Sequence, residues 1–264
     1  MLVEESNNMN ITFGIITSGQ NDNILSTVID SIVSQRIPHY EIIIVGNTTV
    51  AHESIKRMDF DESIRPNWIT RKKNIICHAA SYDVIVLLHD YVRLCDGWYA
   101  GFLRFGTEFD VCVTAIQSVD GRRFRDSTLF QYDLGHPYEK RTLLPYHYPL
   151  TSKMNRLLYI SGTYYVVKKQ LALDHPLDER LCWGHGEDAE WSKRLTDHDI
   201  RLQCNPYSTV QLQKYKEQGV WEQEMTVEDC EHIDALSEDE IERMNRISKL
   251  NIKNYIRNQA GIDL

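Results

Sequence analysis

Asp-Val-Ile-Val-Leu-Leu-His-Asp, residues 83–90, is the stretch that decides the fold class. Its apolar run is unbroken and rich in branched side chains, which is typical of a strand buried on both faces of a parallel sheet. Two runs of the same kind occupy residues 11–17 and 41–45, and residues 24–35 between them carry apolar side chains at helical spacing. This strand–helix–strand order predicts an α/β protein with a Rossmann-like, mostly parallel sheet and helices on both faces.

The remaining pattern predicts further elements. Helices are expected at residues 71–80, 98–105 and 189–196, and strands at 111–115, 159–167 and 201–204. Residues 120–155 show little periodicity, so we expect an irregular segment there, which in a compact domain is usually functional. Ser237-Glu-Asp-Glu240 is a capping-box pattern that begins a C-terminal helix. We expect a flexible N-terminus at 1–9, one domain at 10–225, and a C-terminal helical extension at 226–264 that packs on the domain or contacts a partner.

The composition excludes some classes of function. The formal net charge is -9 and the pI is about 5.6. Binding to nucleic acid or to anionic membranes needs clustered Lys and Arg, so neither is expected. No apolar run approaches ~18 residues, and residues 1–10 lack the basic and apolar regions of a signal peptide. The six cysteines are scattered without a CxxC pair, which indicates free thiols in a reducing compartment. Together these features predict a cytoplasmic protein without an integral membrane segment.

Polar residues follow each predicted parallel strand, at the edge where such sheets bind ligands. They are Thr17-Ser18-Gly19, Gly46-Asn47 and His89-Asp90. A carboxylate beside an imidazole at a strand end is a candidate site for Mg²⁺ or Mn²⁺, which would balance the charge of a diphosphate. The alternative is that Asp90 caps the next turn while His89 bonds to the backbone.

Trp183-Gly-His-Gly-Glu-Asp188 is a second candidate site. Its two glycines allow a sharp turn and a close approach to a ligand. Glu187 and Asp188 then lie at a predicted helix N-terminus, where the helix dipole favours the ionised form that a general base needs. The alternative interpretation is simple N-capping by Asp188.

Two other segments have both an ordinary and a functional interpretation. Arg71-Lys72-Lys73 is either a solvated helix face or a basic rim near a diphosphate. The Tyr and His residues of 132–148 are either part of a surface loop or contacts for a sugar acceptor, since sugars stack on aromatic faces.

Taken in order, these motifs resemble family 2 glycosyltransferases of the GT-A fold over residues 10–205. The segment Trp183–Asp188 also looks like the Trp-Gly-x-Gly-Glu-Asp loop of β-1,4-galactosyltransferase-like enzymes. The family's Asp-x-Asp motif corresponds to Leu88-His89-Asp90, which keeps its last Asp. The resemblance implies an inverting, hexosyltransferase-like enzyme that moves a sugar from a UDP-sugar donor to a hydroxyl of a glycan acceptor.

The resemblance also implies roles for individual residues. Asp188 would be the catalytic base, Glu187 would orient the acceptor, and Asp90 with His89 would hold Mn²⁺ or Mg²⁺ at the leaving diphosphate. Residues expected to bind the nucleotide-sugar are Thr17, Ser18, Gly19, Asn47, Lys73, His89, Asp90, Trp183 and Gly186. Acceptor specificity is expected in residues 118–155 and around Trp183.

Two other functions fit parts of the pattern. A nucleotidyltransferase would normally carry a basic residue in the loop after the first strand, and Ser18–Asn23 contains no Lys or Arg. A non-catalytic module that binds sugar-nucleotides or glycans is the second alternative, and the Glu187-Asp188 pair argues against it.

Overall fold

The computed structural model describes residues 9–132, 139–216 and 223–264. The described strands are β1 (Ile11–Ile16), β2 (Tyr40–Val45), β3 (Ile55–Met58), β4 (Val84–His89), β5 (Val92–Leu94), β6 (Val111–Gln117), β7 (Ser127–Tyr132), β8 (Glu139–Leu143), β9 (Leu158–Ile160), β10 (Tyr164–Lys168), β11 (Leu202–Leu212) and β12 (Gln223–Glu224). The described helices are α1 (Asp22–Val33), α2 (Ile69–Ala79), α3 (Trp98–Phe105), α4 (Ser152–Leu157), α5 (Lys169–Asp174), α6 (Glu187–Asp197), α7 (Val227–Ala235) and α8 (Glu238–Ala260).

The large sheet has eight described strands in the order β3-β2-β1-β4-β10-β6-β11-β5. The four neighbouring strands β3, β2, β1 and β4 are parallel to one another, and so are β6 and β11. In contrast, β10 and β5 run antiparallel to their neighbours. Ile16 pairs with both Val45 and His89, so β1, β2 and β4 end level with one another. The predicted mostly parallel sheet is confirmed, and its register brings the polar loops after these strands to one edge.

Helices cover both faces of this sheet, as the sequence predicts. In β2, Ile42 and Ile44 point to one face and pack with α1 and α3, because successive side chains of a strand alternate. Ile43 and Val45 point to the other face and pack with α2 and α6. The unbroken apolar run of β2 therefore results from burial on both sides.

The prediction of an irregular segment at residues 120–155 is wrong. It contains β7 and β8, which pair in a second sheet of order β12-β8-β7-β9 among the described residues. The single strand predicted at 159–167 is two strands: β9 pairs with β7, and β10 belongs to the large sheet. A turn at Ser161-Gly162-Thr163 separates them. Residues 133–138 lie outside the described residues, so the structure describes only part of the segment 132–148 whose Tyr and His residues are candidate acceptor contacts.

The C-terminal extension packs on the domain. Ser237 and Glu240 form the predicted capping box at the start of α8, each bonding to the backbone of the other. Ile252 and Ile256 of α8 are buried in a cluster with Phe130 of the second sheet. Of the two alternatives for this helix, packing on the domain is therefore the one observed, while the division at 225/226 stays a prediction.

Three further features complete the chain. The six cysteines are free. Within the described residues, every helix is too short or too polar to cross a bilayer. Residues 1–8, most of the predicted flexible N-terminus, lie outside the described residues.

Candidate active site

Asp90 lies directly after β4, at the edge where β1, β2 and β4 end. Its Oδ2 accepts hydrogen bonds from Thr17 Oγ1 at 2.7 Å and from Asn21 Nδ2 at 3.1 Å. The Thr17 hydroxyl in turn accepts a hydrogen bond from the Gly19 backbone N–H at 3.0 Å. These bonds fix the buried carboxylate against the loop that follows β1.

The loops after β1 and β2 touch each other at Gly19. This residue has φ +80°, and a Cβ added there would lie 2.5 Å from the carbonyl oxygen of Asn47. Such a contact is impossible for a real side chain, so only glycine allows this approach. The Asn47 side chain itself is exposed on the outside of the two loops.

A cavity of about 340 Å³ opens at these strand ends. We call it the strand-end cavity, and it is lined by Ile16, Thr17, Ser18, Gln20, Asn21, Glu62, Asn67, Ile69, Lys72, His89, Asp90, Tyr91, Trp183, Lys214, Tyr215 and Lys216. Lys72 Nζ donates to the Thr17 carbonyl at 2.7 Å and pairs with Glu62. The cavity is thus polar, and its lining carries three lysines and two carboxylates.

The acidic pair lies at the start of α6, as the sequence predicts. Gly186, with φ +79°, is the N-cap, and Glu187 and Asp188 follow in the first turn. Asp188 Oδ2 accepts a hydrogen bond from the backbone N–H of Gly162 at 2.8 Å, and its Oδ1 accepts one from Ala189 N at 2.9 Å. The Asp188 carboxylate is therefore oriented by two backbone N–H groups.

The turn between β9 and β10 fits closely around the acidic pair. A Cβ at Gly162 would lie 3.1 Å from Glu187 Oε1 and 3.2 Å from Asp188 Cβ. Both contacts are shorter than ordinary van der Waals separation, so the missing side chain lets the turn approach both acids. The Gly162 carbonyl accepts a hydrogen bond from Lys73 Nζ at 2.5 Å.

Glu187 and Lys73 are both buried. Burial raises the pKa of Glu187 to about 8, helped by the neighbouring Asp188 carboxylate and opposed by the Lys73 ammonium. Burial likewise lowers the pKa of Lys73, although the charges of Glu187 and Asp188 oppose this. The dipole of α6 favours the ionised form of both acids, as the sequence predicts. For Glu187 the effect of desolvation on the pKa is larger than that of the dipole.

A second cavity of about 400 Å³ opens beside the acidic pair. We call it the helix-side cavity, and it is lined by His89, Phe124, Arg125, Phe130, Tyr159, Ser161, Gly162, Thr163, Trp183, Gly184, Gly186, Glu187, Asp188, Ala189, Lys216, Asn251, Ile252 and Tyr255. The two cavities share His89, Trp183 and Lys216 in their walls. The two cavities therefore adjoin at these residues.

The predicted metal ligands, His89 and Asp90, lie in surroundings that suit a dication poorly. Burial lowers the pKa of His89 well below its usual value, and so do the ammonium groups of Lys73, Lys216 and Lys72, while its imidazole bonds to the Gly162 backbone. Charges that disfavour a proton on His89 also disfavour a metal ion there. Within the part of the chain that the structure describes, no three His, Cys, Asp or Glu side chains are grouped to hold a metal.

The predicted nucleotide-sugar residues occupy several different places. Most of them line one or both cavities, and these are Thr17, Ser18, His89, Asp90, Trp183 and Gly186. Gly19 and Asn47 form the loop contact behind the strand-end cavity. Lys73 lies under the acidic pair, and its neighbour Lys72 is the α2 lysine that faces the strand-end cavity.

Three residues of the site were not predicted from the sequence. They are Asn21, which bonds to Asp90; Gly162, which bonds to Asp188; and Lys216, which lies between the cavities. The sequence does contain a signal for Lys216, because Lys214-Tyr-Lys216 directly follows the apolar alternation of β11. The shorter strand predicted at 201–204 ended too early to place these lysines at the ligand-binding edge.

Comparison with known proteins gives structural matches only. No family model and no curated protein matches the chain. The crystal structure of GalNAc-T7 with UDP, GalNAc and Mn²⁺ superposes with a TM-score of 0.59 at 15% identity, covering 98% of this chain and 55% of that chain. The crystal structure of S. aureus TarS 1–349 superposes with a TM-score of 0.50 at 12% identity, covering 95% of this chain and 74% of that one.

Both of these proteins are GT-A glycosyltransferases, and the fold of this chain is GT-A. The chain spans about half the length of the GalNAc-T7 chain. The predicted fold class is therefore confirmed. The assignment to family 2 and the likeness of Trp183–Asp188 to the galactosyltransferase loop stay predictions.

Proposed function

We propose that this protein is an inverting glycosyltransferase that moves a sugar from a UDP-sugar to a hydroxyl of a glycan. The observation that carries the proposal is the oriented Asp188 carboxylate, which lines the helix-side cavity. The carboxyl ends of the parallel strands lie at the adjoining strand-end cavity. On a GT-A fold this arrangement separates an acceptor cavity from a donor cavity, and the reacting atoms meet at their shared wall.

The proposed step is a single in-line displacement. The acceptor hydroxyl, in the helix-side cavity, gives its proton to Asp188 while its oxygen attacks the anomeric carbon of the donor. The bond from that carbon to the β-phosphate oxygen breaks, and its electron pair leaves with the nucleoside diphosphate. Attack opposite the leaving group inverts the configuration at the anomeric carbon.

The neighbouring residues support this division of roles. Because its pKa is raised, Glu187 holds a proton more readily than an ordinary glutamate, and it would orient the acceptor as a hydrogen-bond donor rather than remove its proton. The aromatic side chains of Trp183, Tyr159 and Tyr255 line the helix-side cavity and offer faces on which a sugar ring can stack. Ser18 and the buried Asp90 would meet the nucleotide in the strand-end cavity.

A divalent cation belongs to the prediction from the sequence, and GalNAc-T7 was crystallised with Mn²⁺. In this chain three lysines surround His89, and Asp90 already accepts two hydrogen bonds. These residues fit a cation poorly, so we route no step of the proposed mechanism through a metal.

The donor class is tested by thermal unfolding with UDP, GDP, CDP or dTDP at 1 mM, a concentration chosen as roughly 100 times an expected Kd. A ligand that binds the native state stabilises it by about 2.7 kcal/mol at that ratio. The account predicts the largest rise of the unfolding midpoint with UDP. Bovine serum albumin with the same nucleotides controls for effects of the nucleotides on the unfolding signal itself.

No midpoint shift with any of the four nucleotides would contradict the proposed donor. A shift with UDP but no turnover of any UDP-sugar would favour the non-catalytic binding module that the sequence leaves open.

A further inference from the structure

Lys216 lies in the wall that separates the strand-end cavity from the helix-side cavity. Its Nζ donates a hydrogen bond to Thr163 Oγ1 at 3.0 Å and lies 4.8 Å from the centroid of the Tyr91 ring. Lys214 Nζ lies over the same ring, 5.3 Å from its centroid. Two ammonium groups are therefore gathered beside one aromatic ring at the mouth of the strand-end cavity.

Among the residues that the structure describes, Lys216 has no carboxylate paired with it. Within the described residues, no carboxylate lies within the 4.0 Å that defines an ion pair with Lys216, whereas Lys72 pairs with Glu62. Burial and the nearby positive charge of Arg125 together lower the pKa of Lys216 to about 8. The carboxylates that face it, Asp188 and Glu187, only partly offset this.

Lys216 is half-buried, and partial removal of a cation from water without a paired anion is costly, so an anionic ligand relieves part of that cost. The protein as a whole has a net charge of -9, so the excess of lysines at this cavity is local. Lys72 is already paired with Glu62, so among the described lining residues Lys214 and Lys216 are the lysines of the strand-end cavity that remain available to an anion.

We propose that Lys216, supported by Lys214, supplies the positive charge that balances the donor's diphosphate, in the place where a divalent cation was expected. The inference rests on the proposed function, since it concerns the diphosphate of the same donor. Lys216 faces the β-phosphate, because it reaches the wall shared with the helix-side cavity, where the bond to the sugar breaks. As that bond breaks, the negative charge developing on the β-phosphate oxygen is stabilised by the ammonium group.

The test is calorimetric titration of UDP and of UMP, each in EDTA and in Mn²⁺, at pH 7. Wild-type protein should bind UDP in EDTA with a Kd within about threefold of the value in Mn²⁺. Lys216→Gln should weaken UDP binding by about tenfold or more, the usual range for losing a hydrogen bond to a charged group. The same variant should change UMP binding by less than about threefold, because UMP lacks the β-phosphate.

Two variants control this experiment. Lys56→Gln removes one charge from an exposed position on β3 that lines neither cavity, and should leave UDP binding unchanged. Lys216→Arg keeps the charge and should recover most of the UDP affinity lost in Lys216→Gln.

Binding of UDP that requires Mn²⁺ and is insensitive to Lys216→Gln would overturn this inference while leaving the proposed donor intact. Failure of both UDP and UMP to bind the wild-type protein in either buffer would instead overturn the proposed donor, and the inference with it.

Discussion

Glu187 and Asp188 are neighbours in the chain, but their surroundings differ. Glu187 is buried next to Lys73, whereas Asp188 is partly exposed and accepts hydrogen bonds from two backbone N–H groups. Burial and the neighbouring carboxylate raise the pKa of Glu187 to about 8, so Glu187 takes up a proton more readily than an ordinary glutamate. This is the residue-scale reason for assigning the base to Asp188 and the orienting role to Glu187.

The affinity for UDP should fall as the pH rises from about 7.5 to 9.5. The pKa of Lys216 is lowered to about 8, so in the free protein its ammonium group is present below that pH and lost above it. Each pH unit above the pKa weakens binding by up to about tenfold if the charge is essential. Titration calorimetry across this range measures the effect.

Lys216→Arg is the matched variant, because a guanidinium stays charged throughout this range. The groups facing position 216 include Arg125, Lys73, Asp188, Glu187, His89 and Tyr91, and the pKa of Glu187 is also about 8. A flat profile in Lys216→Arg assigns the fall to Lys216. An unchanged fall in that variant would assign it to Glu187 or to Lys73, whose pKa burial lowers, and would contradict the role given to Lys216.

The sequence located the acidic pair and most of the strand-end residues, because glycines and acids in a short span are a local signal. It did not show which of Lys72 and Lys73 faces the strand-end cavity. Consecutive helix residues point about 100° apart, so one faces the strand-end cavity and the other lies under the acids. Which does which depends on how α2 is rotated on the sheet, and that is set by packing with distant strands.

At the scale of elements, α8 forms part of the helix-side cavity. Asn251, Ile252 and Tyr255 line it, and Tyr255 Oη donates to the Gly184 carbonyl at 3.0 Å. Ile256 is fully buried below them. The C-terminal helix therefore supports the glycine-containing loop before α6.

Ile256→Ala should destabilise the protein by about 2–5 kcal/mol, the range found for removing a buried branched side chain. Leu250→Ala in the same helix is the control, because Leu250 is 57% exposed and its change should stay within about 0.5 kcal/mol. Urea unfolding of both variants measures the difference. Equal and small effects would mean that α8 is not fixed to the domain.

The elements differ in how readily the sequence revealed them. The strands β1, β2 and β4 are buried on both faces, so each is a continuous apolar run that stands out alone. The second sheet gives no such run, because β7 and β8 mix Thr, Gln, Lys and aromatic residues and become strands through pairing with each other. The turn at Gly162 was not predicted, because the residues of β9 and β10 on either side of it form one nearly continuous strand-like run in the sequence.

At the scale of the whole molecule, the GT-A sheet places two cavities on one edge with a common wall. The strand-end cavity, the proposed donor side, is lined by more lysines than carboxylates in a protein of net charge -9, and the helix-side cavity carries the acidic pair. In the proposed mechanism, the leaving anion and the abstracted proton would be received on opposite sides of the shared wall. This polarity matches the direction of the proposed displacement.

The measurement that tests the central claim most directly is UDP release from UDP-glucose, UDP-galactose, UDP-GlcNAc and UDP-GalNAc by wild-type protein and by Asp188→Asn. Water serves as the acceptor, so no glycan needs to be known. The account predicts slow release from one of these donors by the wild type, a loss of about a hundredfold or more in Asp188→Asn as expected for removing a general base, and an unchanged Kd for UDP. Equal release by both proteins, or UDP binding with no release by either, would contradict it.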